Sequence, residues 1–201
     1  GIYQYSHLRN SNVINNGTII SDTDGKTFRV GGYSYYDENI FTNNGTLTAT
    51  AGILNIAPEE LVNAGTINVS GGTVNIHSNS STVEWSNTGT INLNSGTLNL
   101  DGLYSASALN SGNYNRAAGT SVYMYGVFDN TDSTLDIGSD GLFGIGGLTA
   151  LTKYGTIKNG TLVSNDGTVL KSGYPSSGSH YSYAGKLDNV TFGSDLTTSG
   201  S

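Results

Sequence analysis

The sequence predicts an all-β chain wound as a single-stranded parallel β-helix, a β-solenoid of about seven coils with 20–24 residues per coil. Three observations predict it. The stretch from Ala64 to Asp101 carries one pattern twice, at an offset of 24 residues. Gly65 falls on Gly89, Thr66 on Thr90, Ile67 on Ile91, Asn68 on Asn92 and Val69 on Leu93. Gly72, Thr73, Val74, Asn75 and Ile76 then fall on Gly96, Thr97, Leu98, Asn99 and Leu100. A fixed period between about 20 and 50 residues marks repeat architectures. Within each unit apolar and polar residues alternate, the period-two signature of a strand, and helical i, i+3, i+4 spacing is absent. Glycines seven residues apart, Gly65/Gly72 and Gly89/Gly96, punctuate the strands where a corner needs backbone freedom.

Such a unit has two readings. A β-hairpin would set Gly65–Val69 antiparallel to Gly72–Ile76 and would require similarity within a unit only. A solenoid lays each strand on its counterpart one coil later, at about 4.8 Å, so that like residues pack on like. The column-by-column match between units favours the solenoid.

The elements follow in order. Residues 1–16 form an N-terminal arm or first edge strand. Asn16-Gly17-Thr18-Ile19-Ile20 is the first corner, Asp22-Thr23-Asp24-Gly25 a turn, and Thr27–Val30 with Tyr33–Tyr36 further strand. Asn44-Gly45-Thr46-Leu47 opens the next coil and Ile53, Leu54 and Ile56 fill its second strand. Pro58–Val62 reads as a one-turn helix with proline at its start. Coils then step from Gly45 to Gly65, Gly89 and Gly112, and Gly112/Gly119 keep the seven-residue pairing although Asn113-Tyr114-Asn115 is degenerate. Asp132–Ile137 and Gly141–Ile145 read as the strands of a further coil. Gly155-Thr-Ile, Gly160-Thr-Leu and Gly167-Thr-Val restate the motif, and Leu187–Phe192 reads as a last strand. A single domain therefore spans residues 1–196, a tail follows at 197–201, and the rod is ~35 Å long at the sheet spacing. Variation concentrates in the third segment of each coil, at His77–Ser86 and Leu103–Asn110, where a localised function is expected.

Composition bounds the function. The chain has 201 residues with 29 Gly, 2 Pro and only 11% charged side chains. Its net charge of −7 and pI of about 4.6 speak against nucleic acid, which wants a basic footprint. No run of 18 apolar residues predicts a membrane-spanning helix. Cysteine is absent, which excludes disulfides and cysteine-ligated metals. GIYQYSHLRN lacks the charged and apolar regions of a signal peptide. Sequons at Asn16, Asn44, Asn68, Asn79, Asn159 and Asn189 are what an Asn-, Ser- and Thr-rich chain generates by composition.

Tandem Asn-x-Gly-Thr-Ile-Asn-Val units, with Gly155-Thr-Ile-Lys-Asn-Gly-Thr-Leu and Leu187-Asp-Asn-Val-Thr-Phe, resemble the filamentous-haemagglutinin-like and autotransporter-passenger β-helices of bacteria, within the pectin-lyase-like superfamily. The likeness covers residues 40–100 and 155–196. It implies a right-handed coil, in keeping with the general handedness of parallel crossovers, and an exported, extracellular or cell-surface protein.

No catalytic constellation stands out. Glu59-Glu60, Glu84 and Asp129/Asp132/Asp136/Asp140 are the concentrations of carboxylates, and turn-capping accounts for the Asp group. Asp22-Thr-Asp-Gly25 is half of a calcium loop without the distal Glu, and a plain Asp-Gly turn explains it. His7, His77 and His180 have no ligand spacing, so no metal or cofactor is expected. The outward columns Thr46/Thr66/Thr90, Asn68/Asn92, Thr73/Thr97 and Asn75/Asn99 read as structural ladders. Ice-binding solenoids want Thr-x-Thr on nearly every rung, which only Thr46-x-Thr48-x-Thr50 supplies. Tyrosines cluster at mostly even spacing: Tyr33, Tyr35 and Tyr36, Tyr123 and Tyr125, then Tyr181 and Tyr183. Two readings stay open for them, packing beneath loops and an aromatic contact strip for sugar rings or another subunit. Tyr3, Tyr5 and Phe192 are the candidates for self-association, because the two ends of a solenoid carry unpaired backbone groups. The expectation is a non-catalytic extracellular structural or adhesive solenoid, a segment of a bacterial surface adhesin or a subunit stacking end to end into a fibre, with cell-surface glycans as further partners. The alternative is a glycan-binding or polysaccharide-processing β-helix, a lyase or hydrolase, with its cleft in the third-segment loops.

Overall fold

A computed structural model describes residues 12–31, 39–78, 80, 82–109, 113–173 and 184–200. It shows parallel sheets stacked as a β-solenoid of about seven turns. Every strand pairing in it is parallel. The hairpin reading is thereby excluded: Thr66 pairs with Thr90, Ile67 with Ile91, Val74 with Leu98 and Ile76 with Leu100.

The early coils have three faces. The first carries Asn12–Asn15, Ile40–Asn43, Glu60–Asn63 and Ser86–Asn87. The second carries Thr18–Ser21, Thr46–Ala49, the first halves of the bent strands Thr66–His77 and Thr90–Asp101, and Tyr114–Arg116. The third carries Thr27–Val30, Ile53–Ile56, the second halves of those strands, Ser121–Met124, Ala150–Leu151, Leu170–Ser172 and Thr198–Gly200. The bends fall near Gly71 (φ 125°) and Gly96 (φ 94°), a conformation that favours glycine. From Leu103 the walls change. New sheets form from Leu103–Ser105, Val127–Asp129, Thr156–Lys158 and Lys186–Asp188, and from Thr134–Asp136, Thr161–Val163 and Thr191–Phe192.

Apolar side chains stack by column along the axis. Leu47, Ile67 and Ile91 form one column, Leu54, Val74, Leu98 and Val122 a second, and Ile56, Ile76, Leu100, Met124 and Leu151 a third. All are buried. An aromatic column continues the core where the walls change. Trp85 and Tyr104 have ring centroids 5.4 Å apart, Tyr104 and Phe128 5.5 Å, and Phe128 and Phe143 6.5 Å. Burial, with the nearby Asp101 carboxylate second, holds the Tyr104 hydroxyl well above its ordinary pKa.

One core column is polar. Asn15, Asn43, Asn63 and Asn87, each two residues before a corner glycine, stack inside the first corner. Asn15 Nδ2 donates to Asn43 Oδ1 (2.8 Å), Asn43 Nδ2 to Asn63 Oδ1 (2.7 Å) and Asn63 Nδ2 to Asn87 Oδ1 (2.7 Å). Asn87 Nδ2 ends the run on the carbonyl of Ala108 (3.0 Å), inside the 3-10 turn Ala106–Leu109. An amide both donates and accepts, so identical rungs satisfy one another only when stacked in register. The corner glycines pack as tightly. A Cβ on Gly65 would drive into the carbonyl of Gly45, and one on Gly89 into that of Gly65.

Several expectations are corrected. Pro58–Val62 is not helical. Glu60–Asn63 is a strand in register with Ile40–Asn43, because a single helical turn fixes several residues for one hydrogen bond while the stacked strand buries Leu61 and Asn63. Gly141–Ile145 is not a strand. Gly141 N, Gly144 N and Gly147 N donate in sequence to Gly138 O, Gly141 O and Gly144 O (2.8–3.1 Å), so glycines at every third position make successive tight turns. Leu187–Phe192 splits into Lys186–Asp188 and Thr191–Phe192 around Asn189 (φ 56°). Within the segment read as a tail, Thr198–Gly200 pairs with Leu170–Ser172. The 20–24-residue coil holds in the middle of the rod, while the flanking coils are longer: Asn15 bonds Asn43, 28 residues on, and Asn189 bonds Asn159 across 30. The expected Thr and Asn columns stand as read.

Asn63→Ala is expected to lower stability by about 2–4 kcal/mol, since it strands the amides above and below in a buried setting. Asn92→Ala, in an outer ladder, is expected to stay within about 0.5–1 kcal/mol. Chemical denaturation of the two variants checks both. Gly65→Ala meets backbone that cannot yield, and the expected result is loss of the cooperative unfolding transition in circular dichroism.

Candidate functional site

The strongest candidate lies on the third face. In a strand that alternates inward and outward, the odd-numbered partners of the buried column face out. Arg29, Asn55, Asn75, Asn99 and Tyr123 follow one another in register across five rungs. Asn99 Nδ2 donates to Asn75 Oδ1 (2.7 Å). Asn99 Oδ1 has no partner, because the next rung offers Tyr123 where a further Asn would donate. Two residues further along the strands, His77 pairs with Asp101, His77 Nδ1 lying against Asp101 Oδ2. Asp101 Oδ1 accepts from Gly102 N (2.7 Å). Tyr125 sits on the next rung, its N–H bound to Leu100 O. Arg29, Asn55, Asn75, His77, Asp101 and Tyr125 together line a groove of about 340 Å³.

Of the tyrosines read from sequence, Tyr123 and Tyr125 reach this face, both half-buried. Tyr3, Tyr5, Tyr33, Tyr35, Tyr36, Tyr181 and Tyr183 lie outside the described residues. Phe192 is 56% exposed, on the strand paired with Thr161–Val163. Arg29 and the His77/Asp101 pair escaped the sequence reading. The signal was there: His77 and Asp101 stand at the same offset of 24 that aligns Ile76 with Leu100.

Compared with protein-family models, curated proteins and solved structures, the chain matches none.

Three carboxylates of the later coils, Asp129, Asp136 and Asp166, are engaged in turns. Asp129 Oδ1 accepts from Thr131 Oγ1 (2.6 Å), Thr131 N (3.0 Å) and Asn159 Nδ2 (3.2 Å). The Thr131 hydroxyl first, then the Thr131 N–H, the Asn159 amide and Lys158, hold its carboxyl below the ordinary value; burial, which ranks second to the hydroxyl, opposes them. Asp136 accepts from Gly138 N (2.8 Å) and Asn165 Nδ2 (2.7 Å). Asp166 ties two coils together, accepting from Ser139 N (2.8 Å) and Thr168 N (2.9 Å). The Ser139 N–H, then the Thr168 side chain and N–H, hold it well below the carboxylate range. In the Asp22–Gly25 turn, Thr23 Oγ1 donates to Asp22 Oδ1 (3.1 Å), Lys26 N bonds Thr23 O (3.1 Å) and Gly25 has φ 66°. Among the described residues no three His, Asp or Glu side chains come together as a metal-ligand group. The strip itself offers amide donor–acceptor pairs repeated at about one rung spacing, an Arg at one end and phenol rings at the other. Such groups can donate to and accept from hydroxyls.

Both shifted aspartates have folded pKa values below the unfolded one. The stability they supply is complete above about pH 3.9 and is lost as pH falls from there toward the folded values. The melting temperature of the wild type is expected to fall more steeply below about pH 4 than that of Asp166→Asn, while at pH 7 Asp166→Asn melts lower. Thermal melts from pH 2 to 7 measure the difference.

Proposed function

We propose that this chain is a non-catalytic, extracellular adhesive rod: a segment of a bacterial surface adhesin, or a subunit of an end-to-end fibre, that contacts cell-surface glycans along its third face. The observation that carries the reading is the polar strip from Arg29 through Asn55, Asn75 and Asn99 to Tyr123, held in register across five rungs and ending on an aromatic ring. A linear glycan presents hydroxyls at regular intervals and apolar ring faces between them. Stacked amides answer the first, and Tyr123 and Tyr125 the second. The kinship proposed with filamentous-haemagglutinin-like β-helices rests on the Asn-x-Gly-Thr units and on the coil they build. For self-association the supporting feature is Phe192, an exposed aromatic on the last described rung.

The polysaccharide-processing alternative draws on Asp136 and Asp140, which line one cleft. Glycoside cleavage needs one of the two as a proton donor. Both Asp136 oxygens are occupied by donors of its own chain, Gly138 N on Oδ1 and Asn165 Nδ2 on Oδ2, which leaves one carboxylate of the two for a reaction that uses a pair. That weighs for binding over cleavage.

The test is binding to immobilised bacterial and host-type glycans, with the double variant Tyr123→Ala/Tyr125→Ala as comparison. The expected result is retention by the wild type and at least tenfold weaker retention by the variant, with the two melting temperatures alike. Equal retention, or none by the wild type, sinks the adhesive reading.

A further inference from the structure

We propose that the glycan taken by the third face is a linear acidic one, its carboxylate or sulfate groups held by Arg29 near one end of the face and Lys171 near the other; this rests on the adhesive reading above. The chain as a whole is acidic, with a net charge of −7. Most of its described cations are engaged. Arg116 is bound to Phe143 O and Thr120 O, Lys158 lies 3.8 Å from Asp129, Lys186 lies 2.9 Å from Asp188, and Lys153 stands over the ring of Tyr154. Among the described residues the side chains of Lys26, Arg29 and Lys171 make no hydrogen bond, ion pair or ring contact. All three belong to one face: Arg29 stands in Thr27–Val30, Lys26 directly precedes that strand, and Lys171 stands in Leu170–Ser172.

The register sets Arg29 and Lys171 in one outward column. Arg29, Asn55, Asn75, Asn99 and Tyr123 follow one another, Ala150 pairs with Tyr123, and Lys171 immediately precedes Ser172, the partner of Leu151. Leu170 is buried and Lys171 exposed, as inward and outward alternation requires. Six rung spacings of about 4.8 Å place the two cations ~29 Å apart along the axis, a span that a polymer bridges and a single sugar does not. The strands of this face carry one carboxylate, Asp101, which lies against His77 Nδ1 and accepts from Gly102 N. Asp22 and Asp24 share a turn with Lys26 and offset it, while Asp166 and Asp195 lie in the connections ahead of Leu170–Ser172 and Thr198–Gly200.

Charge and its spacing select the ligand. Arg29 lines the groove with Asn55, Asn75 and Tyr125, and its guanidinium fork, unoccupied by any described carboxylate, matches an oxyanion on two N–H groups. The amides on the rungs between answer hydroxyls by donating and accepting. Complementary charge adds register and speed of encounter to those hydrogen bonds. Duplex nucleic acid carries an anion every ~1.7 Å and wants a dense basic footprint. Two cations separated by uncharged amide and phenol rungs fit instead a hydroxyl-rich polymer whose anions are sparse.

Biolayer interferometry with dextran and dextran sulfate, and with an oligogalacturonate and its methyl ester, tests this, each pair differing by its anionic groups; duplex DNA is the comparison polyanion. At least one acidic polymer is expected to bind at least tenfold tighter than its neutral partner, and the pair that shows the gap tells sulfate from carboxylate. Arg29→Gln/Lys171→Gln is expected to bring the acidic polymer to within about twofold of the neutral one, leaving the neutral one as it was. Lys171→Gln alone, an exposed change, is expected to weaken acidic binding at least threefold and decides the matter should the double variant fail to fold. Lys186→Gln, the same loss of charge on another sheet, leaves binding unchanged. The proposal is overturned, with the adhesive reading intact, if each neutral polymer is held as tightly as its acidic partner or if Lys186→Gln weakens binding as much as Lys171→Gln. Equal binding of duplex DNA overturns the choice of a glycan, and retention of no polymer overturns both readings.

Discussion

A column of buried amides is the constraint on which the early coils depend. Asn43 and Asn63 are fully buried and Asn87 nearly so, and each has its neighbours one coil away as hydrogen-bond partners. A buried amide without a partner is costly, and these have partners only while the coils stay parallel and in register. A slip of one residue would set Thr42 or Asn44, Val62 or Ala64, and Ser86 or Thr88 in the place of the partner amide, and the ladder would be lost. Apolar columns of Leu, Ile and Val supply most of the burial but tolerate one another in many arrangements. The amides and the closely stacked corner glycines select one arrangement from among them.

The end of that column is also where the architecture changes. Asn87 finds Ala108 O in a 3-10 turn where another Asn would continue the ladder. Past it, the aromatic column from Trp85 to Phe143 occupies the axis. Corners are then held by Asp and Asn side chains bonding to loop backbone, as Asp136 and Asp166 do across neighbouring coils. Such corners accept longer connections than the glycine corners, and the coils there lengthen accordingly. The separation of the two coils at Tyr114–Arg116 is a consequence of the same change, since the coil above has glycine turns where a strand would have covered the face.

The two surface features differ in physical character. The third-face strip is regular because it is the outward echo of a regular core: wherever the inward residue repeats, the outward one does too. It extends along the axis over five rungs. The wall cleft lined by Tyr114, Arg116, Asp136 and Asp140 is irregular and lies where no further strand of the described residues covers Tyr114–Arg116. Repetition generates the first and its interruption generates the second.

The sequence alone determined the class of fold and the middle register, because a period-two alternation repeated at a fixed offset has few solutions other than stacking. Ile67 on Ile91 and Asn75 on Asn99 were legible as columns. The Asn two residues before each corner glycine was visible in the Asn-x-Gly-Thr units, yet nothing local says that its side chain turns inward. Pro58–Val62 misled because proline at a helix start is a local signal, whereas the strand it became is stabilised by neighbours 20 residues away. Tertiary structure alone decided which carboxylates cap turns, that Arg29 joins the Asn strip, and that Tyr114, Asn130 and Arg116 line one cleft. Those meetings depend on coil lengths that vary along the chain, and the corners that set such lengths are fixed by contacts between coils, which no single stretch of sequence contains.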